Sequence, residues 1–265
     1  MKQVSFFSIL FSALLFVGCN KSDYNNETPP APAPLSTVIK ISGDSAGIVG
    51  SINQFRVLLG DPLNTTPNQS AGRREVNWDA VPPAFTNNGN FPFDFFNSID
   101  PAVANGRKRG LVLTNTGTSF RVDSTDFSEI DPSYAAQFDA FSKKRLFAYL
   151  GNIVTQVTFK VPGTSLDAFV KGFGVIFSDI DDANSTYVEF FNGNNSLGVF
   201  KAPARSAAGG FSFLGVLFPN ERVTRIKITA GNGLLAPGLK DISDGGNKDL
   251  VVMDDFFYDE PKSAN

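Results

Sequence analysis

The second half of the chain alternates short apolar stretches with turn residues, a pattern that predicts β-strands. These stretches are rich in β-branched and aromatic residues and are bounded by Gly, Pro, Asn or Asp. Asn192 and Gly193 separate two of them and favour a type I′ hairpin turn, because both residues tolerate positive φ. We expect strands at residues 169–177, 186–191, 196–200, 211–218, 223–229 and 250–258.

The first half carries weaker strand signals and one stretch with two interpretations. Apolar runs predict strands at residues 37–41, 52–59, 74–78, 110–114, 119–122 and 153–161. Within residues 133–150, Ser133 is a suitable helix cap, and Tyr134 and Phe138 recur at helical spacing. Leu146 and Phe147 equally suit a strand. Both alternatives stay open for this stretch.

The many short strands, with no linker-like interruption, predict one all-β domain over residues 37–262. The chain holds 27 Phe and 24 Gly, and its charged share of 18% lies below the typical value of about 25%. Phenylalanine suits half-buried pleated surfaces, and glycine suits turns. We therefore expect a jelly-roll-like antiparallel β-sandwich with at most one or two short helices.

Residues 1–18 form an apolar leader that ends beside the only cysteine of the chain, Cys19. Lys2 supplies the positive start, the apolar stretch is too short to span a bilayer, and Gly18 is small enough for a peptidase site. The pattern is typical of a bacterial lipoprotein signal, in which Cys19 becomes the acylated N-terminus. The alternative is an ordinary signal peptide that leaves Cys19 as a single thiol.

Residues 19–36 predict a tether between the lipid and the domain. Their polar composition cannot bury enough apolar surface to offset the entropy of ordering. The prolines between Pro29 and Pro34 favour extended polyproline II structure, so the segment is expected to act as a semi-rigid spacer.

The charge distribution excludes a nucleic-acid partner. Cleavage after Gly18 removes Lys2 from the 23 basic residues and leaves all 26 acidic ones, so the mature chain is acidic. Nucleic acid requires a basic stripe, whereas the basic residues here are scattered. We interpret the short basic clusters, including residues 107–109, as solvated loops.

The histidine count argues against an enzyme. Residues 43–47 match the G-x-S-x-G pattern of a hydrolase nucleophile, but the chain has no histidine to activate Ser45. We interpret the segment as a turn and expect no enzymatic activity. The same absence excludes zinc, iron and copper sites that use imidazole ligands.

Acidic residues gather near the ends of predicted strands and suggest calcium, which prefers hard oxygen ligands. Asp179 and Asp181 alternate along an extended segment, so we expect their carboxylates on the same side. By the same alternation, Asp254 and Asp255 face opposite sides of the last strand. We predict a structural calcium site with Asp179, Asp181 and Asp254 as ligands; a solvated acidic loop is the alternative.

Exposed aromatic residues are candidates for glycan contact, because the C–H faces of sugars pack on aromatic rings while polar neighbours bond the hydroxyls. Trp78, flanked by Arg74 and Asp79, is the preferred ligand-binding group. Residues 91–96 are a second aromatic candidate, although we expect most of their rings in the core.

Several segments, taken in order along residues 43–260, resemble a known type of protein. They are residues 73–79, 95–97, 172–181, 211–216 and 252–256. The set is similar to a family of uncharacterised secreted bacterial proteins, which are in turn similar to the jelly-roll domains of PEP-CTERM-type exported proteins. The resemblance implies a β-sandwich outside the cytoplasm and brings no settled activity or ligand.

Together these inferences favour a lipid-anchored protein of the bacterial envelope, placed in the outer membrane. Its β-sandwich is expected to bind glycans or another surface polymer, with calcium as the expected cofactor. The alternative is a purely structural envelope or matrix protein without a small-molecule site. A carboxylate-based glycoside hydrolase ranks third, because carboxylates are the remaining catalytic groups.

We predict that Cys19 carries a lipid. Replacement of Cys19 by Ala should move the protein from the detergent phase to the aqueous phase, because the acyl anchor is removed. Detergent partitioning measures the change, and mass spectrometry identifies the N-terminus of the parent. Identical partitioning of both proteins, together with an unmodified parent N-terminus, would contradict lipidation.

Overall fold

The computed structural model describes residues 33–114 and 119–264. The leader, Cys19 and most of the expected tether lie outside the described residues. The described chain forms two seven-stranded sheets, in which all paired strands are antiparallel. The predicted all-β sandwich is therefore confirmed.

Sheet 1 contains β1 (Thr37–Gly43), β2 (Arg73–Val76), β4 (Phe120–Asp123), β5 (Leu146–Tyr149), β8 (Gly172–Ser178), β11 (Phe211–Leu217) and β13 (Val252–Asp259). Its strand order is β1-β11-β8-β13-β5-β4, and β2 pairs additionally with β13.

Sheet 2 contains β3 (Leu111–Leu113), β6 (Val154–Lys160), β7 (Asp167–Phe169), β9 (Tyr187–Asn192), β10 (Asn195–Lys201), β12 (Arg225–Thr229) and β14 (Lys262–Ser263). Its strand order is β10-β9-β12-β6-β7-β14, with β3 paired to β6. Alternate residues of β6 are buried, as expected for a strand with one face toward the core and one toward solvent.

The two sheets enclose an aromatic core. Trp78 lies at its centre, stacked on Phe147 with ring centroids 4.3 Å apart. Phe91, Phe96 and Phe256 approach the indole edge-on, the preferred geometry for aromatic neighbours that do not stack. Most of the phenylalanines in the described part of the chain are thus buried, either in this core or elsewhere in the fold.

One predicted strand is wrong. Residues 52–59 belong to helix α1 (Ser45–Leu59), which covers the outer face of sheet 1. Asp44 caps the helix by accepting a hydrogen bond from the Gly47 amide at 2.7 Å. The helix buries Ile48, Ile52, Phe55 and Leu59, whose spacing is helical. The strand prediction overlooked that the buried residues recur four, three and four positions apart, which is helical spacing.

Residues 43–47 comprise the last residue of β1, the cap Asp44 and the first three residues of α1, so they form a direct strand-to-helix connection. Two glycines in sheet 1 explain how closely α1 approaches the sheet. Gly174 and Gly215 face each other on β8 and β11, and a Cβ on either would lie 2.7 Å from the Phe55 ring. The absence of side chains at both positions makes the socket that receives Phe55.

The stretch with two interpretations, residues 133–150, contains elements of both kinds. A short 3-10 turn at Pro132–Ala136 precedes β5. Phe127, Tyr134 and Phe138 pack over Leu146 and Val252 on the outer face of sheet 1. This segment and α1 thus cover different parts of the same outer face.

The predicted hairpin joins β9 to β10. Asn192 pairs with Asn195, so the turn residues are Gly193 and Asn194, one position later than predicted. Gly193 has a φ of 59°, which accounts for the glycine at this position.

Among the described residues, no helix has the length and apolar character needed to cross a membrane.

Candidate functional site

The three residues expected to bind a ligand are buried in the fold or hydrogen-bonded to other parts of it. Trp78 is 0% exposed, and its indole N–H donates to the Asp254 carbonyl at 2.9 Å. Arg74 is equally buried and forms an ion pair with Glu260 at 2.7 Å. The Asp79 carboxylate accepts from the Lys144 amide. The structure therefore gives this trio no shared surface that faces a ligand.

A cleft of about 330 Å³ lies beside the second aromatic candidate, residues 91–96. Phe91, Phe95 and Phe96 are buried, as expected, but Phe93 is 57% exposed. The cleft is lined by Phe93, Asp94, Asn97, Ser98, Ile99, Asp100, Arg107, Val112, Lys160 and Ser165. We refer to it as the Phe93 cleft.

The Phe93 cleft combines an exposed aromatic ring with carboxylates that are accessible. Asp94 and Asp100 are exposed at its wall, while Ile99 extends the apolar surface. Asn97 is structural, because its amide donates to Thr164 and its oxygen accepts from Gly163. The arrangement offers a flat apolar face next to hydrogen-bond acceptors, which is the chemistry of a ring with several hydroxyl groups.

A cluster of carboxylates forms where β8 ends. Oxygens of Asp179, Asp181 and Asp241 all lie within 4.8 Å of one another. Asp179 and Asp181 follow β8 directly, and Asp241 caps a 3-10 turn at Ile242–Asp244. We call these three residues the acidic cluster. Asp241 was not among the predicted ligands.

Arg205 supplies positive charge to the acidic cluster. Its guanidinium forms ion pairs with Asp179 and, at 2.6 Å, with Asp181. The Arg205 amide donates to the Ile180 carbonyl at 2.7 Å, which fixes the loop between β10 and β11 against the cluster. One arginine therefore faces three carboxyl groups.

Burial controls the protonation of the acidic cluster. It raises the pKa of Asp179 to about 7, and Arg205 offsets only part of this shift. Burial also raises the pKa of Asp181, helped by its hydrogen bond to Asp241. Burial acts in the same direction on Asp241, but hydrogen bonds from Asp181, Leu250 and Ser243 lower its pKa overall. The cluster therefore carries less negative charge than three carboxylates in water.

Asp249 organises the loop beneath the cluster without joining it. Its carboxylate accepts from the Asp181 and Asp182 amides at 3.0 and 3.1 Å and from the Ser185 hydroxyl. These bonds hold the chain that presents Asp181. Asp179 has a φ of 72°, so the segment is not the extended strand from which its position beside Asp181 was predicted.

Asp254 belongs to a different site. The pairing of β13 shifts between Met253 and Phe256, so the strict alternation of a strand is interrupted at Asp254 and Asp255. Ser142 Oγ lies 3.0 Å from Asp254 Oδ1 and 2.8 Å from Asp255 Oδ1. The prediction that the two carboxylates face opposite sides is therefore wrong, because a β-bulge places both against Ser142.

The geometry around Ser142 favours one protonated carboxyl group in the Asp254 and Asp255 pair. A hydroxyl has one hydrogen, so Ser142 can donate to only one of the two carboxyls, and the other must donate to it or to its neighbour. Asp254 also accepts from the Phe141 and Ser142 amides, which suits the ionised partner. Burial and the charge of Asp254 raise the pKa of Asp255 to about 9, which identifies Asp255 as the protonated partner.

Comparison with known proteins adds no relative. No protein-family model, curated protein sequence or solved structure matches the chain. The candidate sites are therefore judged on their own geometry.

We predict that Asp255 makes the protein less stable as the pH rises. Its folded pKa of about 9 lies above the unfolded value near 3.9. Its contribution to stability is therefore complete below about pH 4 and is lost as the pH rises toward 9. Asp255→Asn should flatten this decline, because an amide cannot ionise and still donates to Asp254. Urea unfolding across about pH 5 to 9 measures the slope.

Asp244→Asn is the matched control, because it makes the same chemical replacement at an exposed carboxyl group outside the pair. It should retain the slope of the parent. Parallel stability curves for the parent and Asp255→Asn would show that the pair does not hold a proton in this pH range.

Proposed function

We propose that this protein is a lipid-anchored envelope protein whose β-sandwich is a non-enzymatic binding module for glycans or another surface polymer. The leader and Cys19 support attachment to a membrane, with the outer membrane as the proposed location. The relationship to secreted jelly-roll proteins remains part of this proposal. It agrees with the antiparallel sandwich but rests on sequence resemblance alone.

The Phe93 cleft is the observation that supports binding. A phenylalanine ring in a soluble protein is usually buried, and the Phe93 ring is more than half exposed within a run whose other rings are in the core. Asp94 and Asp100 beside it accept hydrogen bonds from hydroxyl groups. A sugar ring meets both requirements, because it has an apolar C–H face and hydroxyls at its edge.

We expect Phe93→Ala to weaken glycan binding by about tenfold or more, because the apolar contact with one face of the sugar is lost. A glycan array probed with the purified full chain identifies the ligand, and titration of that ligand into the variant measures the loss. Val199→Ala is the matched control, since Val199 is also exposed, at 53%, but lies on β10.

Equal losses for Phe93→Ala and Val199→Ala would place the ligand elsewhere. An array on which the parent binds no glycan would favour the alternative, a structural envelope protein without a small-molecule site. Release of shortened glycans from the array would instead favour the third possibility, a carboxylate-based hydrolase.

Calcium at the acidic cluster is the second part of the proposal, with Asp179, Asp181 and Asp241 as ligands. Desolvated carboxyls with raised pKa values gain from a nearby cation, and calcium prefers carboxylate oxygens. Arg205 competes for the same charges. Calcium binding therefore requires the Arg205 guanidinium to move aside, and Asp254 takes no part.

We expect calcium to raise the temperature of unfolding relative to excess EDTA. Free calcium at 100 times its dissociation constant adds about 2.7 kcal/mol if it binds the folded state alone. Asp241→Asn should abolish the shift, whereas Asp254→Asn should retain it and serves as the control. Coincident unfolding curves for the parent in calcium and in EDTA would identify Arg205 as the permanent counter-ion of the cluster.

A further inference from the structure

A second pocket adjoins the Phe93 cleft and has a different chemical character. It has a volume of about 290 Å³ and is lined by Asn77, Ala80, Pro82, Phe95, Phe96, Ala104, Gly106, Arg107 and Arg109. Phe95 and Phe96 are buried and form its apolar floor. Arg107 lines both this pocket and the Phe93 cleft. We call it the two-arginine pocket.

Arg107 is held by an aromatic ring. Its guanidinium carbon lies 4.2 Å from the centre of the Phe95 ring, and Nε donates to the Phe95 carbonyl at 3.3 Å. Within the described chain, the two terminal nitrogens of Arg107 have no hydrogen-bond partner, and no carboxylate forms an ion pair with it. The side chain is thus positioned by its stem and Nε while its terminal donors remain available.

Arg109 is fixed in a similar way. Nε donates to the Gly106 carbonyl at 2.9 Å, and Nη1 donates to the Glu75 carbonyl. The guanidinium carbon lies 5.9 Å from the Phe96 ring centre. Across residues 33–114 and 119–264, Arg109 also forms no ion pair, and its Nη2 has no hydrogen-bond partner. Two positioned positive charges therefore border one apolar floor.

Lys108 does not share this role. It is buried, and its ammonium donates to the Pro101 carbonyl at 3.2 Å. The interpretation of residues 107–109 as a solvated loop is therefore not supported by their positions, because the lysine is internal and both arginines contact aromatic rings. The chain is acidic overall, but this part of its surface is locally positive.

The charges of the two neighbouring sites are complementary to different groups. Arginine pairs with planar carboxylates through parallel hydrogen bonds, and the Phe95 and Phe96 floor accepts the C–H face of a ring. The Asn77 side-chain oxygen accepts from the Asp79 amide, which leaves its nitrogen as a donor. In the Phe93 cleft, Asp94 and Asp100 accept hydrogen bonds from hydroxyl groups, whereas the lining of the two-arginine pocket contains no carboxylate.

We propose that the two-arginine pocket binds the carboxylate-bearing sugar unit of an acidic glycan, such as a uronic acid. This inference rests on the proposed binding function and specifies its ligand class. A pocket of about 290 Å³ lies near the lower end of the range for ligand pockets and suits one sugar ring. A neighbouring neutral unit then lies against Phe93.

The test compares two trisaccharides with the same linkages that differ in a single unit, which is glucuronic acid in one and glucose in the other. Isothermal titration into the purified full chain should give an affinity for the acidic trisaccharide that is about tenfold or more higher, since hydrogen bonds to charged groups are among the stronger ones. Added salt should reduce this preference, because the pocket is partly exposed.

Variants test whether the preference for the acidic trisaccharide comes from the two-arginine pocket. The double variant Arg107→Gln with Arg109→Gln should lose the preference for acid while its affinity for the neutral trisaccharide changes little. Arg225→Gln is the matched control, because Arg225 also stacks on a ring, Phe191, at 3.7 Å. It should keep the preference. Arg107→Lys with Arg109→Lys retains the charge, so it tests paired hydrogen bonding if the glutamine variant does not fold.

The outcomes separate this inference from the function on which it rests. Equal binding of the two trisaccharides to the parent would overturn the acidic ligand and leave the binding module in place. Binding of neither trisaccharide, with no glycan bound on the array, would overturn both. Inorganic phosphate that competes more strongly than free glucuronate would overturn the carboxylate assignment in favour of a phosphate group. An acid preference lost in the double variant and kept in Arg225→Gln would support the proposal.

Discussion

Burial of both faces of β8 is the constraint on which the rest of the structure depends. All seven residues of this strand are buried, with Phe173, Val175 and Phe177 in the sandwich core and Ile176 on the outer face. A sheet with apolar residues on both faces must be covered twice. Sheet 2 covers one face, and α1 together with the segment around Phe127–Phe138 covers the other. The Gly174 and Gly215 socket lets Phe55 approach the sheet closely enough to seal it.

The segments that cover the outer face of sheet 1 also explain why Asp254 and Asp255 are buried. Where the two outer clusters meet, the β-bulge in β13 turns Asp254 and Asp255 toward Ser142. Phe141, next to Ser142, packs edge-on against Phe211 in the cluster under α1. Exclusion of water from this junction raises the pKa of Asp255, and a shared proton removes the repulsion that two carboxylates would have. Charged groups can therefore be accommodated beneath an apolar cover without a counter-ion.

The proposed binding surface lies where one segment of the chain contributes rings to the core and leaves one ring exposed to solvent. The chain around residues 91–109 sends Phe91, Phe95 and Phe96 inward and leaves Phe93 outside. Arg107 and Arg109 lie over the outer sides of the same rings. Core packing thus fixes the positions of the groups proposed to meet a ligand. Such fixed groups lose little freedom on binding, which favours recognition by a rigid surface.

Alternation and turn residues act locally, so the strands, the sandwich and the burial of most phenylalanines could be predicted from the sequence. The sequence also contained the helical spacing of Ile48, Ile52, Phe55 and Leu59, although β-branched residues made 52–59 resemble a strand. Which acids meet depends on the folded chain, since Asp179 and Asp241 are distant in sequence and the bulge at Asp254 breaks alternation. The folded chain likewise decides that Trp78 is internal and Phe93 external. These outcomes depend on contacts between distant segments, which no local pattern specifies.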